Sequence, residues 1–272
     1  MTPTVLITGG GTGIGAATAR RMAADGWDVC VAGRRTEPLE RLAEEIGALA
    51  VRADIGQPSG AGRVVDACLE RSGRLDAVVI SAGTGAGGTV GDQTLERWNR
   101  VLTTNLTGAF LVIHEAIDAL IDASGAIVTV ASLAGLHASP ESVAYCSSKA
   151  GLIMLTRCVA VDYGPRGVRA NCVCPGWIET EMGDRAMDEL AGLRGVDRAG
   201  AYALATEHAP ARRPGRPEET AEAIAWLASS AASYVNGAVL TVDGGLSIVD
   251  AGSLAFASGR VAPATPTPEE EH

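Results

Sequence analysis

Short apolar runs alternate along the chain with longer stretches in which apolar residues recur every three or four positions. The runs Val5 to Thr8, Asp28 to Ala32, Ala48 to Arg52, Ala77 to Ser81, Ala126 to Ala131, Arg169 to Cys174 and Val239 to Val242 are the strand candidates. They are short and apolar on both faces, as strands buried inside a parallel sheet are, and the periodic segments between them supply crossover helices. The pattern predicts an α/β fold: one doubly wound parallel sheet of about seven strands with helices on both faces. Between the fourth and fifth runs, Trp98, Val101, Leu102, Asn105, Leu106, Ala109, Val112, Ile113 and Ala116 recur at helical spacing, which predicts one long amphipathic helix from Leu95 to about Ile121. Asn105 stands on that otherwise apolar stripe; a mediocre helix former there is either tied down by a structural hydrogen bond or used for chemistry.

Ligands of such a sheet bind outside the carboxyl ends of its strands. The segments that stand there are the glycine-rich turn after the first run, Ser81-Ala82-Gly83 after the fourth, Ser132 after the fifth and Pro175 to Thr180 after the sixth. The first turn reads Thr8-Gly9-Gly10-Gly11-Thr12-Gly13-Ile14-Gly15 and runs straight into a helical pattern. Strand, glycine turn and helix form a phosphate cradle, because glycine lets the backbone approach a pyrophosphate while the N–H groups at the positive end of the helix bind its charge. Glycine-rich strings also occur in ordinary loops, but this one has the strand before it and the helix after it that the motif requires.

Tyr145 and Lys149 are four residues apart in Ala144-Tyr145-Cys146-Ser147-Ser148-Lys149-Ala150. On a helix, positions i and i+4 share a face, so the ammonium is expected beside the phenol, lowering a pKa that is ordinarily about 10. A phenol tuned in this way exchanges a proton with an alcohol or ketone oxygen.

Composition narrows the class. The 272 residues suit one domain, expected over 1–252 with an extension at 253–272. A formal net charge of −10 excludes the clustered basic surface that nucleic-acid binding needs. No run of about 20 apolar residues predicts a membrane span, and the first strand begins too near Met1 for a secretory leader. The six cysteines show no C-x-x-C pair, and most lie in apolar patterns, which together point to reduced thiols and a cytoplasmic location. Four scattered histidines without H-E-x-x-H give no metal site. The last ten residues, rich in Pro, Thr and Glu, are expected to be disordered.

Thr8-Gly-x-x-x-Gly13-x-Gly15, Asn105, Ser132 and Tyr145-x-x-x-Lys149, in that order, resemble the classical short-chain dehydrogenase/reductase family. Asp54-Ile55, Ser81-Ala82-Gly83, Asn105-Leu106-Thr107-Gly108, Pro175 to Thr180, Gly215 to Glu219 and Val242 to Gly245 also fall in family order, so the resemblance spans nearly the whole chain. Ser81 departs from the family, which usually has Asn before Ala-Gly. The resemblance implies a Rossmann-type sheet and hydride transfer between a nicotinamide dinucleotide and a ketone or secondary alcohol, of 3-oxoacyl, polyketide-like or alicyclic type. It implies that Tyr145 exchanges the proton, Lys149 lowers the phenol's pKa and holds the nicotinamide ribose, Ser132 bonds the substrate oxygen, and Asn105 positions a water leading from Lys149 to solvent. Cofactor contacts are implied for Gly9, Thr12, Gly13, Ile14, Gly15, Ser81, Ala82, Gly83, Pro175, Gly176, Ile178 and Thr180. Asp54 with Ile55 either meets the adenine or serves as a turn residue.

The second strand ends Val31-Ala32-Gly33-Arg34-Arg35, with Gly33 where an NAD-preferring site places an acid. Guanidinium groups there offer forked donors to a 2′-phosphate, so NADP is expected over NAD, unless Arg34 only stacks on adenine or faces solvent. His137 and Trp177 are either pocket residues or, respectively, a surface imidazole and a core indole. With Met182 they complete the candidate substrate pocket. Residues 183–210, with Met187, Leu190, Leu193, Tyr202 and Leu204, are expected to form a lid over an uncharged substrate. A homotetramer is expected through the two long helices and through Leu246 to Phe256. The alternatives are an NAD-dependent alcohol or hydroxyacyl dehydrogenase and, more distantly, a non-catalytic dinucleotide-binding regulator. An epimerase of the extended branch would need a sizeable domain after Gly245.

Overall fold

The computed structural model describes residues 2–250 and 252–256. The expectations for the last ten residues and for the Phe256 side chain fall outside what it describes. Strands and helices alternate: β1 (Thr4–Thr8), α1 (Gly13–Ala24), β2 (Asp28–Gly33), α2 (Thr36–Ile46), β3 (Leu49–Arg52), α3 (Pro58–Ser72), β4 (Ala77–Ile80), α4 (Leu95–Leu102), α5 (Gly108–Ala123), β5 (Ala126–Val130), α6 (Val143–Tyr163), β6 (Arg169–Pro175), α7 (Glu181–Arg194), α8 (Arg198–Ala205), α9 (Pro217–Ala228) and β7 (Val239–Val242). The strands form a single parallel sheet in the order β3-β2-β1-β4-β5-β6-β7. The side on which successive strands are added reverses between β1 and β4, which opens the crevice where doubly wound sheets bind ligands.

The continuous apolar runs are explained by burial on both faces. One face packs Leu6, Val78, Ile80 and Ile127 under α3, α5 and α6, and the other packs Val5, Ile7, Val79 and Val128 under α1, α2 and α9. Each such side chain withdrawn from water contributes roughly 1.5–3 kcal/mol, so the central strands are the most heavily stabilised part of the molecule. The ends of β1 and β4 are further joined where Ser81 N–H donates to Thr8 O and Ala82 N–H to Thr8 Oγ1. This contact involves only the backbone of Ser81, and so does not need the Asn that the family usually carries there.

The helix expected from Leu95 to Ile121 is not one regular helix. α4 and α5 are joined by a π-helical turn over Thr103–Thr107. Helical spacing alone does not show such an insertion, and Asn105 within it makes the tertiary contacts described below. A π-turn within a helix commonly marks a functional position. The segment expected as a lid folds largely as α7 and α8, held to each other by Met187, Ala201 and Tyr202.

Candidate active site

The glycine turn is built for close approach. Gly9 has φ +66°, and a Cβ on it would lie 2.7 Å from Ala82 Cα; a Cβ on Gly15 would lie 2.3 Å from the Gly9 carbonyl oxygen. Only glycines let β1, the turn, the segment after β4 and the start of α1 pack together in this way. Thr12 is the N-cap of α1 but does not cap it with its side chain, and the first turn of the helix carries no acid. The N-terminal N–H groups and positive dipole end of α1 are therefore left for an external anion, and a dinucleotide pyrophosphate fits that cradle. Thr180, by contrast, caps α7 by accepting from Gly183 N–H at 3.0 Å, and its methyl group faces Gly13 across the turn.

At the adenine end, Arg34 is exposed, while Arg35 Nη2 donates to Thr12 Oγ1 at 3.1 Å and to Glu181 Oε2 at 2.9 Å. Asp54 is exposed and its Oδ1 accepts from Gly56 N–H at 3.0 Å, which is the turn geometry. Ile55 is buried against the start of α5.

Ser132, Tyr145 and Lys149 come together beyond β5. Ser132 leaves the strand in an extended conformation, and its Oγ accepts from Ala134 N–H. Tyr145 lies on the first turn of α6 and Lys149 one turn on. Burial pushes the Tyr145 phenol above its ordinary pKa, and a hydrogen bond with Ser132 opposes that rise. Lys149 is buried, with its Nζ 5.7 Å from the Tyr145 ring centroid and donating to Val130 O at 2.8 Å. The Lys149 ammonium donates to a backbone carbonyl one helical turn from the phenol, and among the groups acting on Tyr145 it is Ser132 that favours the phenolate. Burial lowers Lys149 itself to about 8. A Cβ on Gly83 would come within 3.4 Å of Lys149 Nζ, and one on Gly85 within 4.0 Å of Tyr145 Cδ2, so the loop after β4 forms the opposite wall.

Asn105 is buried, with its amide committed on both sides. Nδ2 donates to Thr84 O at 2.8 Å and Ser148 Oγ at 2.9 Å, while Oδ1 accepts from Thr84 N–H at 2.8 Å. Its side chain thus makes structural hydrogen bonds, pinning the loop after β4 to the π-turn and to α6. Ser148, whose Oγ also donates to Tyr145 O at 2.7 Å, belongs to this framework and is not one of the site residues expected from the sequence. A polar side chain on a buried helical stripe, directly before Lys149, was the signal available for it.

The candidate pocket residues do not all converge. His137 is exposed, and Met182 is partly exposed on the first turn of α7. Trp177 is 38 % exposed, so it is not a core indole, and it lines a cavity of about 110 Å³ with Thr206, Ala209 and Leu246 rather than with Tyr145. Among the described residues no group of three or more His, Cys, Asp or Glu is placed to hold a metal ion, and no helix is long and apolar enough to cross a membrane.

Comparison with known proteins places this geometry. A family model described as enoyl-(acyl carrier protein) reductase matches residues 9–247. The chain is 40 % identical to Protein MoaE of Klebsiella aerogenes, covering 94 % of this chain and 100 % of that protein. It is 35 % identical to 3beta-hydroxysteroid dehydrogenase 1 of Eggerthella lenta, covering 90 % and 94 %. Among solved structures it resembles actinorhodin polyketide ketoreductase with NADPH, with a TM-score of 0.86 and 31 % identity, covering 90 % of this chain and 97 % of that one.

The chain belongs to the short-chain dehydrogenase/reductase family. As a short-chain dehydrogenase/reductase it is a nicotinamide-dependent oxidoreductase acting on CH–OH groups and the corresponding carbonyls. In this member the buried Lys149 gives a stability signature. Its folded pKa of about 8 lies below the ordinary lysine value of 10.5, so between these limits the unfolded chain binds the extra proton, and stability rises as pH increases through that window. At pH below about 8 both states are protonated and the cost of burying the charge is fully present. Melting curves of the wild type and Lys149→Met from pH 7 to 10 are expected to diverge, with the wild type gaining on the variant as pH rises. Parallel curves would show that Lys149 is not desolvated in the folded state.

Proposed function

We propose that this short-chain dehydrogenase/reductase interconverts a ketone and its secondary alcohol on an uncharged alicyclic, aromatic or acyl substrate, with NADP(H) preferred and NAD(H) the alternative. The observation that carries the catalytic reading is the juxtaposition of Ser132, Tyr145 and Lys149, largely shielded from water, around a space that also borders the loop after β4. A bound nicotinamide supplies or accepts the hydride. In the reducing direction Tyr145 Oη gives its proton to the substrate oxygen as that oxygen gains charge, and Ser132 Oγ donates a hydrogen bond to the same oxygen. Burial holds Tyr145 protonated in the resting state, which suits a proton donor. Lys149 lies one helical turn away, where moving its ammonium from Val130 O toward the phenolate stabilises that product. Asn105 and Ser148 act as positioning residues by fixing the backbone of Thr84 and Tyr145.

The NADP preference rests on Gly33, Arg34 and Arg35, and the resemblance to a ketoreductase solved with NADPH agrees with it. Fluorescence titration of the purified protein is the test, with NADPH expected to bind more tightly than NADH. Equal or tighter NADH binding would refute it.

Residues 183–210, here most of α7, α8 and the chain beyond, are read as the lid, with Leu193 and Leu204, and Met182 just before them, presenting exposed apolar surface. A steroid dehydrogenase among the relatives fits a bulky alicyclic substrate. A cytoplasmic homotetramer is the assembly proposed. On α6, Ser148, Leu152 and Val159 are spent on the protein's own core, whereas Met154, Val161 and Phe110 of α5 remain exposed as apolar surface that a symmetry mate would cover. Light scattering is expected to give close to four times 27.7 kDa, and a monomer would contradict this assembly.

A further inference from the structure

The contact of Arg35 with Glu181 joins regions that are far apart in sequence. Arg35 follows the end of β2, at the adenine end of the cradle, and Glu181 is the first residue of α7, the helix read as the start of the lid. One guanidinium nitrogen, Nη2, reaches both Glu181 Oε2 at 2.9 Å and Thr12 Oγ1 of the glycine turn at 3.1 Å. Both charged side chains are about half exposed, so they are open to competition from a ligand. The other carboxylates of that helix's first turns are occupied elsewhere, with Asp184 and Asp188 paired to Arg198. Arg34 beside it makes no ion pair among the described residues.

We propose that Glu181 is a specificity-determining residue of the dinucleotide site: a built-in counter-anion that holds Arg35 on Thr12 until a 2′-phosphate takes the guanidinium from it. This rests on the dinucleotide reading of the glycine turn and goes beyond it by assigning a role to an acid outside that turn. A 2′-phosphate carries more negative charge than one carboxylate and offers more acceptor oxygens, so it competes for the forked donors of Arg35. To do so it must break the Arg35–Glu181 pair, a cost that a neutral 2′-hydroxyl does not meet. Glu181 therefore narrows the NADP preference that Arg34 and Arg35 establish. Because it opens α7, it also ties the lid to the adenine end of the cofactor: NADP(H) breaks the tie and NAD(H) leaves it in place.

Glu181→Gln keeps the side-chain size and an acceptor oxygen while removing the charge. Dissociation constants for NADPH and NADH are measured by fluorescence titration for the wild type, Glu181→Gln, Arg35→Ala and the double variant. The ratio of the NADH to the NADPH constant is expected to rise about fivefold in Glu181→Gln, near the upper range for an exposed ion pair. In the Arg35→Ala background the same change should move the ratio by less than about twofold, since the two effects share one contact. An unchanged or lowered ratio in Glu181→Gln would overturn the proposal, and so would an equal gain with and without Arg35, which would make Glu181 only a remote charge. A wild type that binds neither dinucleotide would overturn the cofactor reading and this inference with it, whereas binding of both with no coupling overturns this inference alone.

Discussion

Tyr145→Phe is expected to lower turnover about 10³-fold, within the range of a positioned acid or base, while dinucleotide binding stays within a few fold. The substitution removes one oxygen and keeps the ring that packs at the start of α6. What it removes is the phenol oxygen near Ser132, a loss expected to cost no more than about 1 kcal/mol, so a folded protein is available to assay. No other hydroxyl stands both one helical turn from Lys149 and in contact with Ser132. A variant that kept turnover within tenfold of the wild type would remove Tyr145 from the chemistry, and with it the proposed assignment of the cluster. Ser132→Ala should show a smaller loss of the same kind, because Ser132 shares the stabilisation of the developing charge but does not transfer the proton.

Replacing Gly33-Arg34 by Asp-Ala should shift the NADH to NADPH preference by about 10²-fold toward NADH, from the loss of one charge-assisted phosphate partner and the gain of a repelling carboxylate. The backbone accepts the change: a Cβ on Gly33 would lie 3.6 Å from Leu39 Cδ1, an ordinary contact. The new aspartate would stand at the end of β2, where it can accept from a ribose 2′-hydroxyl. Calorimetric titration of both dinucleotides checks this. A variant whose preference is unmoved would mean that Arg34 faces solvent only and that phosphate recognition, if present, lies with Arg35.

The fold could be read from the sequence because it depends on local pattern. Runs such as Val5 to Thr8 and Ala126 to Val130 are apolar without alternation because helices cover both faces of a parallel sheet, and that burial is visible residue by residue. The glycine turn could be read for the same reason, since strand, turn and helix are contiguous. The expectations that needed revision depended on partners distant in sequence. Asn105 sits in the π-turn between α4 and α5 with its amide held by Thr84, 21 residues away, and by Ser148, 43 residues away. Lys149 is directed by the carbonyl of Val130, a main-chain acceptor that every residue type supplies equally, so no side chain announces it. Arg35 meets Glu181 across 146 residues. Trp177 and His137 each admit two readings from sequence because pocket, core and surface positions share a composition near strand ends.

The central claim is that hydride passes between a nicotinamide and a substrate carbonyl carbon while Tyr145 handles the proton. The most direct measurement uses NADPH carrying deuterium at the transferable position of its ring, a panel of alicyclic and 3-oxoacyl ketones, and mass spectrometry of the alcohol formed. Deuterium bound to the carbinol carbon of the product, formed by the wild type and lost with Tyr145→Phe, is the predicted result. Product without the label, or no product from any ketone by a protein that demonstrably binds NADPH, would contradict the account.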